Sequence, residues 1–165
     1  LGVKTIFNYL GPLLNPVNPN YQLIGCNDQK ISHIMAKVCQ KLNKKRVMIV
    51  HSFDGMDEIS VSDKTTLLDI NNKEVISSVI SPCDIGIPIS KIGDIKGGNP
   101  EYNYQRVLKL FSGQKDAYYD IVAVNAAYVL LLSGKFRDIS ICLSKVRACL
   151  DSGLPLQLLN KIKNG

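Results

Sequence analysis

Residues 21 to 51 of this 165-residue chain carry the pattern that most limits its fold. YQLIGC at 21–26 reads as a short strand. RVMIVH at 46–51 is apolar without alternation, the mark of a strand buried on both faces. Between them Ile31, Ile34, Met35, Val38 and Leu42 recur at helical spacing over 28–42, with Asn27 or Asp28 available to cap the first turn. A strand, a helix of this length and a second strand make a βαβ unit, which places the two strands side by side and parallel.

Beyond that unit the pattern changes. TTLLDI at 65–70 and KEVISSVI at 73–80 flank Asn71 and Asn72, the chemistry of a tight hairpin, so the sheet is expected to be mixed. Residues 82–98, rich in Pro, Gly and Ile without a steady period, read as a loop with one short strand. Helices follow. Asn99, Pro100 and Glu101 form a helix start leading to Val107, Leu108 and Phe111, with Gly113 as the stop. A second helix is expected over 116–133 and a third over 138–151, with Ile139, Cys142, Leu143, Val146, Cys149 and Leu150 on one face. LPLQLLNKIKNG supplies a last helix. The fold class is therefore α/β: a mixed, partly parallel sheet flanked by helices.

Composition narrows the function classes. With 45% hydrophobic and 21% charged residues the chain has an ordinary globular make-up, sized for one domain. Its longest apolar run, IVAVNAAYVLLL at 121–132, is interrupted by Asn125 and is too short to cross a bilayer. Five cysteines, odd in number and without a CxxC pair, read as reduced core residues of a cytoplasmic protein. Cys39, Cys142 and Cys149 are expected to be unbridged and packed among apolar neighbours. The net charge of +6 is compatible with nucleic acid or anionic small substrates, although the densest basic run, KLNKKR at 41–46, is explained by a helix C-terminus.

The stretch HSFDGMDEIS at 51–60 holds the most suggestive chemistry. Ligands of parallel α/β sheets sit beyond the carboxyl ends of the strands, where this acidic turn falls. Asp54, Asp57 and Glu58 offer hard oxygen donors suited to Mg²⁺, while a solvated surface turn explains the same residues without a ligand. His51 lacks a recognisable nucleophile partner and reads as a hydrogen-bonded structural residue, and His33 as a surface or boundary residue. Gly97 and Gly98 before a helix start fit a phosphate cradle or an ordinary entry turn.

LGVKTIFNYLGPLLNPVNPNYQLIG at 1–25 resembles the corresponding segment of anthranilate phosphoribosyltransferases. DGMDEIS at 54–60, GGNPEYNYQRVLKLFSG at 97–113, DIVAVNAAYVLLLSGK at 120–135 and DSG at 151–153 resemble further segments of that family in the same order. The resemblance implies the larger carboxyl-terminal domain of the class III nucleoside phosphorylase/phosphoribosyltransferase-like fold. It also implies transfer of phosphoribosyl from phosphoribosyl diphosphate to anthranilate, as in tryptophan biosynthesis. Asp57 and Glu58 match the family's metal-binding pair, with Mg²⁺ or Mn²⁺ as the ion. Asp54 and Gly55 then shape the turn that presents them. Gly11 and Pro12 match the segment lining the anthranilate pocket, where glycine admits a flat ring and proline gives a rigid apolar wall. No catalytic residue beyond the metal ligands is implied within the chain.

Lys4 stands where the family usually has arginine, and it is expected to be structural. The resemblance further implies that residues 1–165 are the carboxyl-terminal part of the catalytic domain. An N-terminal helical dimerisation domain and a glycine-rich diphosphate loop would lie before Leu1, making the complete protein a homodimer and the isolated chain inactive. A pyrimidine nucleoside phosphorylase and a non-catalytic nucleic-acid-binding relative of the same fold are the alternatives. The acidic pair favours the enzyme, so neither nucleic acid nor membrane is expected as a partner.

Overall fold

The computed structural model describes residues 7–42, 44–72 and 74–164. The expected βαβ unit is present. β1 (Tyr21–Gly25) and β2 (Arg46–Ser52) are adjacent and parallel, joined by α2 (Gln29–Lys41), which follows the short α1 (Phe7–Leu10). β2 then pairs antiparallel with β3 (Thr65–Asn71), and β3 with β4 (Glu74–Ile80), in the order β1-β2-β3-β4. The sheet is thus mixed, as the sequence predicts. The hairpin register pairs Asn71 with Glu74, so the turn begins one residue later than expected, at Asn72 in the left-handed region with φ 48°.

The pleat divides the apolar residues of β2 between two layers. Val47 and Ile49 point with Ile24, Leu68 and Ile70 toward Met35, Ala36 and Cys39 of α2, and Tyr9 and Leu13 pack against that cluster. Met48 and Val50 join Leu67 on the opposite face, against Ile121, Val124 and Tyr128 of α5 (Ala117–Leu132). Burial on both faces is why β2 carries no polar alternation. Arg46, which opens β2, grips Asp69 of β3 with two parallel bonds (Nε–Oδ1 3.1 Å, Nη2–Oδ2 2.6 Å) and reaches the Leu131 carbonyl of α5 at 3.4 Å.

Helix boundaries follow their caps. Asp28 accepts from the amides of Lys30 and Ile31, so Asp28 and not Asn27 starts α2. Its buried stripe is Ser32, Met35, Ala36 and Cys39, whose small members bring the helix close to the sheet; Ile34 and Leu42, expected inside, lie on the flank at 56% and 44% exposure. Residues 82–98 hold no strand. A 3₁₀ turn (Pro82–Ile85) and the short α3 (Ile92–Ile95) replace it, anchored by buried Ile85, Ile87 and Ile95. In α4 (Pro100–Phe111) Asn99 caps Tyr102 N at 2.8 Å and Gly113 leaves the helix at φ 96°, while Leu110, absent from the expected face, is the buried residue.

α6 (Ile139–Asp151), capped by Asp138, buries Cys142, Leu143 and Leu150; α7 (Leu154–Asn164) ends the described chain. No disulfide joins any of the five cysteines, and Cys39 and Cys142 are buried as expected. Two cysteines depart from the core reading: Cys83 is exposed in the 3₁₀ turn, which buries Pro82 and Ile85 instead, and Cys149 is exposed because it falls on the flank of the α6 stripe rather than at its centre. Among the described residues no helix is long and apolar enough to cross a membrane. Lys4 lies outside the described residues.

Candidate functional site

The chain leaves β2 at Ser52 and enters β3 at Thr65, and the acidic turn lies between them, beyond the carboxyl ends of both parallel strands. Asp54 is turned inward. Its carboxylate accepts from the hydroxyls of Ser60 and Ser62 and from the Met56 amide at 3.1 Å. Partial burial pushes its pKa up, and these donors outweigh burial and hold it below the usual carboxylate range. Gly55 follows at φ 89°, a conformation that strains any residue with a side chain. The two residues therefore build the turn, and both carboxylate oxygens of Asp54 are engaged within it.

Asp57 and Glu58 face the other way. Both are exposed and line one cleft of about 370 Å³ with Leu23 and Gly25 of β1 and Ile121 and Asn125 of α5. Glu58 also borders a larger cleft with Met56, Ile95, Lys96 and Tyr118. Desolvation against these apolar walls, with the Asp57 charge beside it, raises the Glu58 pKa. Two adjacent carboxylates, with the charge of Asp57 opposing ionisation of Glu58, are a donor set that a divalent cation relieves, and carboxylate oxygen is the ligand Mg²⁺ and Mn²⁺ accept. The described residues include no group of three potential ligands, so a cation held here would complete its shell with water or substrate oxygens.

The backbone under this pair is fixed from three directions. A Cβ on Gly25 would fall 1.7 Å from the Asp57 carbonyl oxygen, so β1 and the acidic turn touch only because residue 25 is glycine. Ser52 Oγ donates to the Glu58 carbonyl at 2.6 Å and meets Thr65 Oγ1 at 2.7 Å. Asn125 accepts from the Ile59 amide at 3.0 Å and donates to the Ile59 carbonyl at 2.9 Å. Sequence reading attaches no role to Gly25, Ser52 or Asn125. For Asn125 the signal was visible, a lone amide inside an apolar helix, because such a group is buried only with partners.

Gly11 and Pro12 do not line either cleft. They sit exposed in the turn after α1, tethered to β1 by a 2.7 Å bond from Gln22 Nε2 to the Pro12 carbonyl. A Cβ at Gly11 would meet nothing, so no neighbour among the described residues demands glycine there. His51 is structural, its Nδ1 2.9 Å from the Cys26 carbonyl, and His33 is exposed. At Gly97 and Gly98 the phosphate-cradle reading gives way to the entry turn: Gly98 N is already bonded to Asn103 Oδ1 at 2.8 Å.

The chain is an α/β domain whose mixed sheet carries an acidic cleft beyond its parallel strands, the place where such sheets commonly bind ligands. The chain belongs to the glycosyl transferase family, a/b domain, whose family model matches residues 1–156. It is 36% identical over 162 residues to an anthranilate phosphoribosyltransferase of Thermoanaerobacter sp. (strain X514), covering 98% of this chain and 48% of that protein. The crystal structure of anthranilate phosphoribosyltransferase from Thermus thermophilus is similar with TM-score 0.87 and 27% identity, over 97% of this chain and 47% of that one. The enzyme from Saccharomyces cerevisiae, in complex with PRPP and Mg, is similar with TM-score 0.83 and 25% identity, over 96% of this chain and 46% of that one. The chain spans about half the length of the curated relatives it matches.

Proposed function

We propose that this chain is the carboxyl-terminal part of the catalytic domain of an anthranilate phosphoribosyltransferase. In the reaction the anthranilate amine attacks C1 of the ribose, the C1–O bond to diphosphate breaks, and the amine gives up a proton. The observation that carries the reading is the adjacent Asp57 and Glu58 at the carboxyl ends of β1 and β2, in a chain whose relatives bear that name. Their carboxylates are the residues that would hold Mg²⁺, with Mn²⁺ as an alternative ion. When bound, the cation supplies countercharge for the departing diphosphate. Gly11 and Pro12, outside both clefts of this chain, would supply one wall of an anthranilate pocket completed by the other half of the protein, where an open glycine admits a flat ring. The remainder of the site, including the diphosphate loop and a helical dimerisation domain, belongs to the other half of the complete protein. That protein is a homodimer in a reducing, cytoplasmic setting. The 165 residues alone lack the groups to orient two substrates and do not turn over.

The test replaces Asp57 by Asn and Glu58 by Gln in the complete protein, which removes two charges at nearly constant shape. Turnover is expected to fall on the order of a hundredfold, and Mg²⁺ dependence to shift to higher concentration, with thermal melting unchanged. Full activity at low Mg²⁺ in a normally melting variant would refute the metal assignment.

A further inference from the structure

Asn125 lines the acidic cleft from α5, and its three bonds leave no freedom in how it sits. Oδ1 accepts from the Ile59 amide at 3.0 Å, while Nδ2 donates to the Ile59 carbonyl at 2.9 Å and to the Ile121 carbonyl, one helical turn back, at 2.9 Å. Facing one N–H and two carbonyls, the amide admits a single orientation. The peptide group joining Glu58 to Ile59 is consequently held at both ends, its carbonyl by Ser52 Oγ at 2.6 Å and its N–H by Asn125. The preceding peptide group rests on Gly25, since Asp57 O occupies the space a side chain would take. Three consecutive peptide groups, from Asp57 O to Ile59 O, are thus tied to β1, β2 and α5. Ile59 itself is fully buried, which prevents the segment from sliding.

A surface turn does not require this much restraint, whereas a two-carboxylate cation site does. Carboxylates on adjacent residues share an ion only if the backbone holds them at a fixed separation, and groups that support metal ligands typically matter tenfold to a hundredfold in affinity. We propose that Asn125 is a positioning residue for the acidic pair. By bonding both backbone groups of Ile59 it anchors Glu58, and Asp57 with it, to helix α5 in the geometry that takes one divalent cation. This rests on the reading of Asp57 and Glu58 as the metal-binding pair.

The experiment uses the complete protein, with Mn²⁺ as the probe in the presence of phosphoribosyl diphosphate and free Mn²⁺ read by electron paramagnetic resonance. Asn125→Asp keeps the size and the acceptor for Ile59 N–H but turns an oxygen toward two carbonyls. Mn²⁺ affinity should fall about tenfold, the KM for anthranilate should stay within twofold, and exchange of the Ile59 amide should quicken. Adding Asn125→Asp to the Asp57→Asn, Glu58→Gln variant should change Mn²⁺ affinity little further, because the groups it positions are gone. Ser52→Ala removes the other restraint on the same peptide group and should act in the same direction, which keeps the test decisive if Asn125 variants fold poorly. Unchanged Mn²⁺ affinity in folded Asn125→Asp and Ser52→Ala, with affinity lost in the acid variant, overturns the positioning role and leaves the metal reading standing. A full additional loss on top of the acid variant also overturns it. Undiminished Mn²⁺ affinity in the acid variant itself overturns the metal reading, and the positioning role with it.

Discussion

Replacing Gly25 by alanine adds one methyl group at the closest approach in the site. The new Cβ would lie 1.7 Å from Asp57 O, 2.7 Å from its carbonyl carbon and 3.0 Å from its Cβ. Non-bonded heavy atoms settle at roughly 3.5 Å, so one of the two backbones must move by about 1.5–2 Å. No rotamer change relieves this, because the two closest opposing atoms are main chain and a Cβ does not move with χ1. β1 is held in register by β2 along its whole length, and Glu58 and Ile59 are held by Ser52 and Asn125. The strain of such overpacking is about 1–3 kcal/mol. If the turn yields, the acidic pair shifts by more than the ~1 Å that typically costs a hundredfold in rate. In the complete protein Gly25→Ala should therefore lower the melting midpoint and cut turnover at least as much as the loss of both charges at 57 and 58. A variant with normal melting and normal Mg²⁺-dependent turnover would show that β1 and the acidic turn are not in contact, and the geometry drawn for the site would be wrong.

Two further outcomes concern the frame around the site. Asp54→Asn should cost about 2 kcal/mol, since the carboxylate's bonds from two hydroxyls and an amide become weaker and partly mismatched. The folded pKa of Asp54 lies below its unfolded value, so its contribution is complete above about pH 4 and disappears as pH falls through the folded value. Denaturant unfolding should accordingly show the gap between wild type and variant at pH 7 closing in strong acid; a constant gap would contradict the assignment. Arg46→Lys keeps the charge and loses the two-pronged grip on Asp69 together with the bond to Leu131, so it should cost about 1 kcal/mol, checked by the same unfolding curves.

How much of this was legible follows from the kind of interaction each residue makes. Strand and helix positions were readable because periodicity and caps are local: the β1–α2–β2 unit, the Asn99 cap and the stop at Gly113 all depend on neighbours in sequence. Residues 82–98 were misread for the complementary reason. Their isoleucines are anchors for a 3₁₀ turn and a one-turn helix, and isolated anchors have no period to detect. Cys149 and Ile34 show the limit of stripe arguments, which find the centre of a buried face better than its edge.

The acidic pair itself was visible as a motif, but the reason it is rigid was not. Gly25, Ser52 and Asn125 lie 32, 6 and 67 positions from Asp57, Glu58 and Glu58 respectively, and each acts on main-chain atoms of the turn. Main-chain contacts of that kind leave almost no trace in one sequence: a glycine at a strand end, a serine at another strand end, an asparagine in an apolar helix. Only the fold brings the three to the same few peptide groups. The division of labour is then physical. The carboxylates provide charge, which a motif can reveal, while the groups that fix their separation provide geometry, which appears only when β1, β2 and α5 have been assembled around the turn.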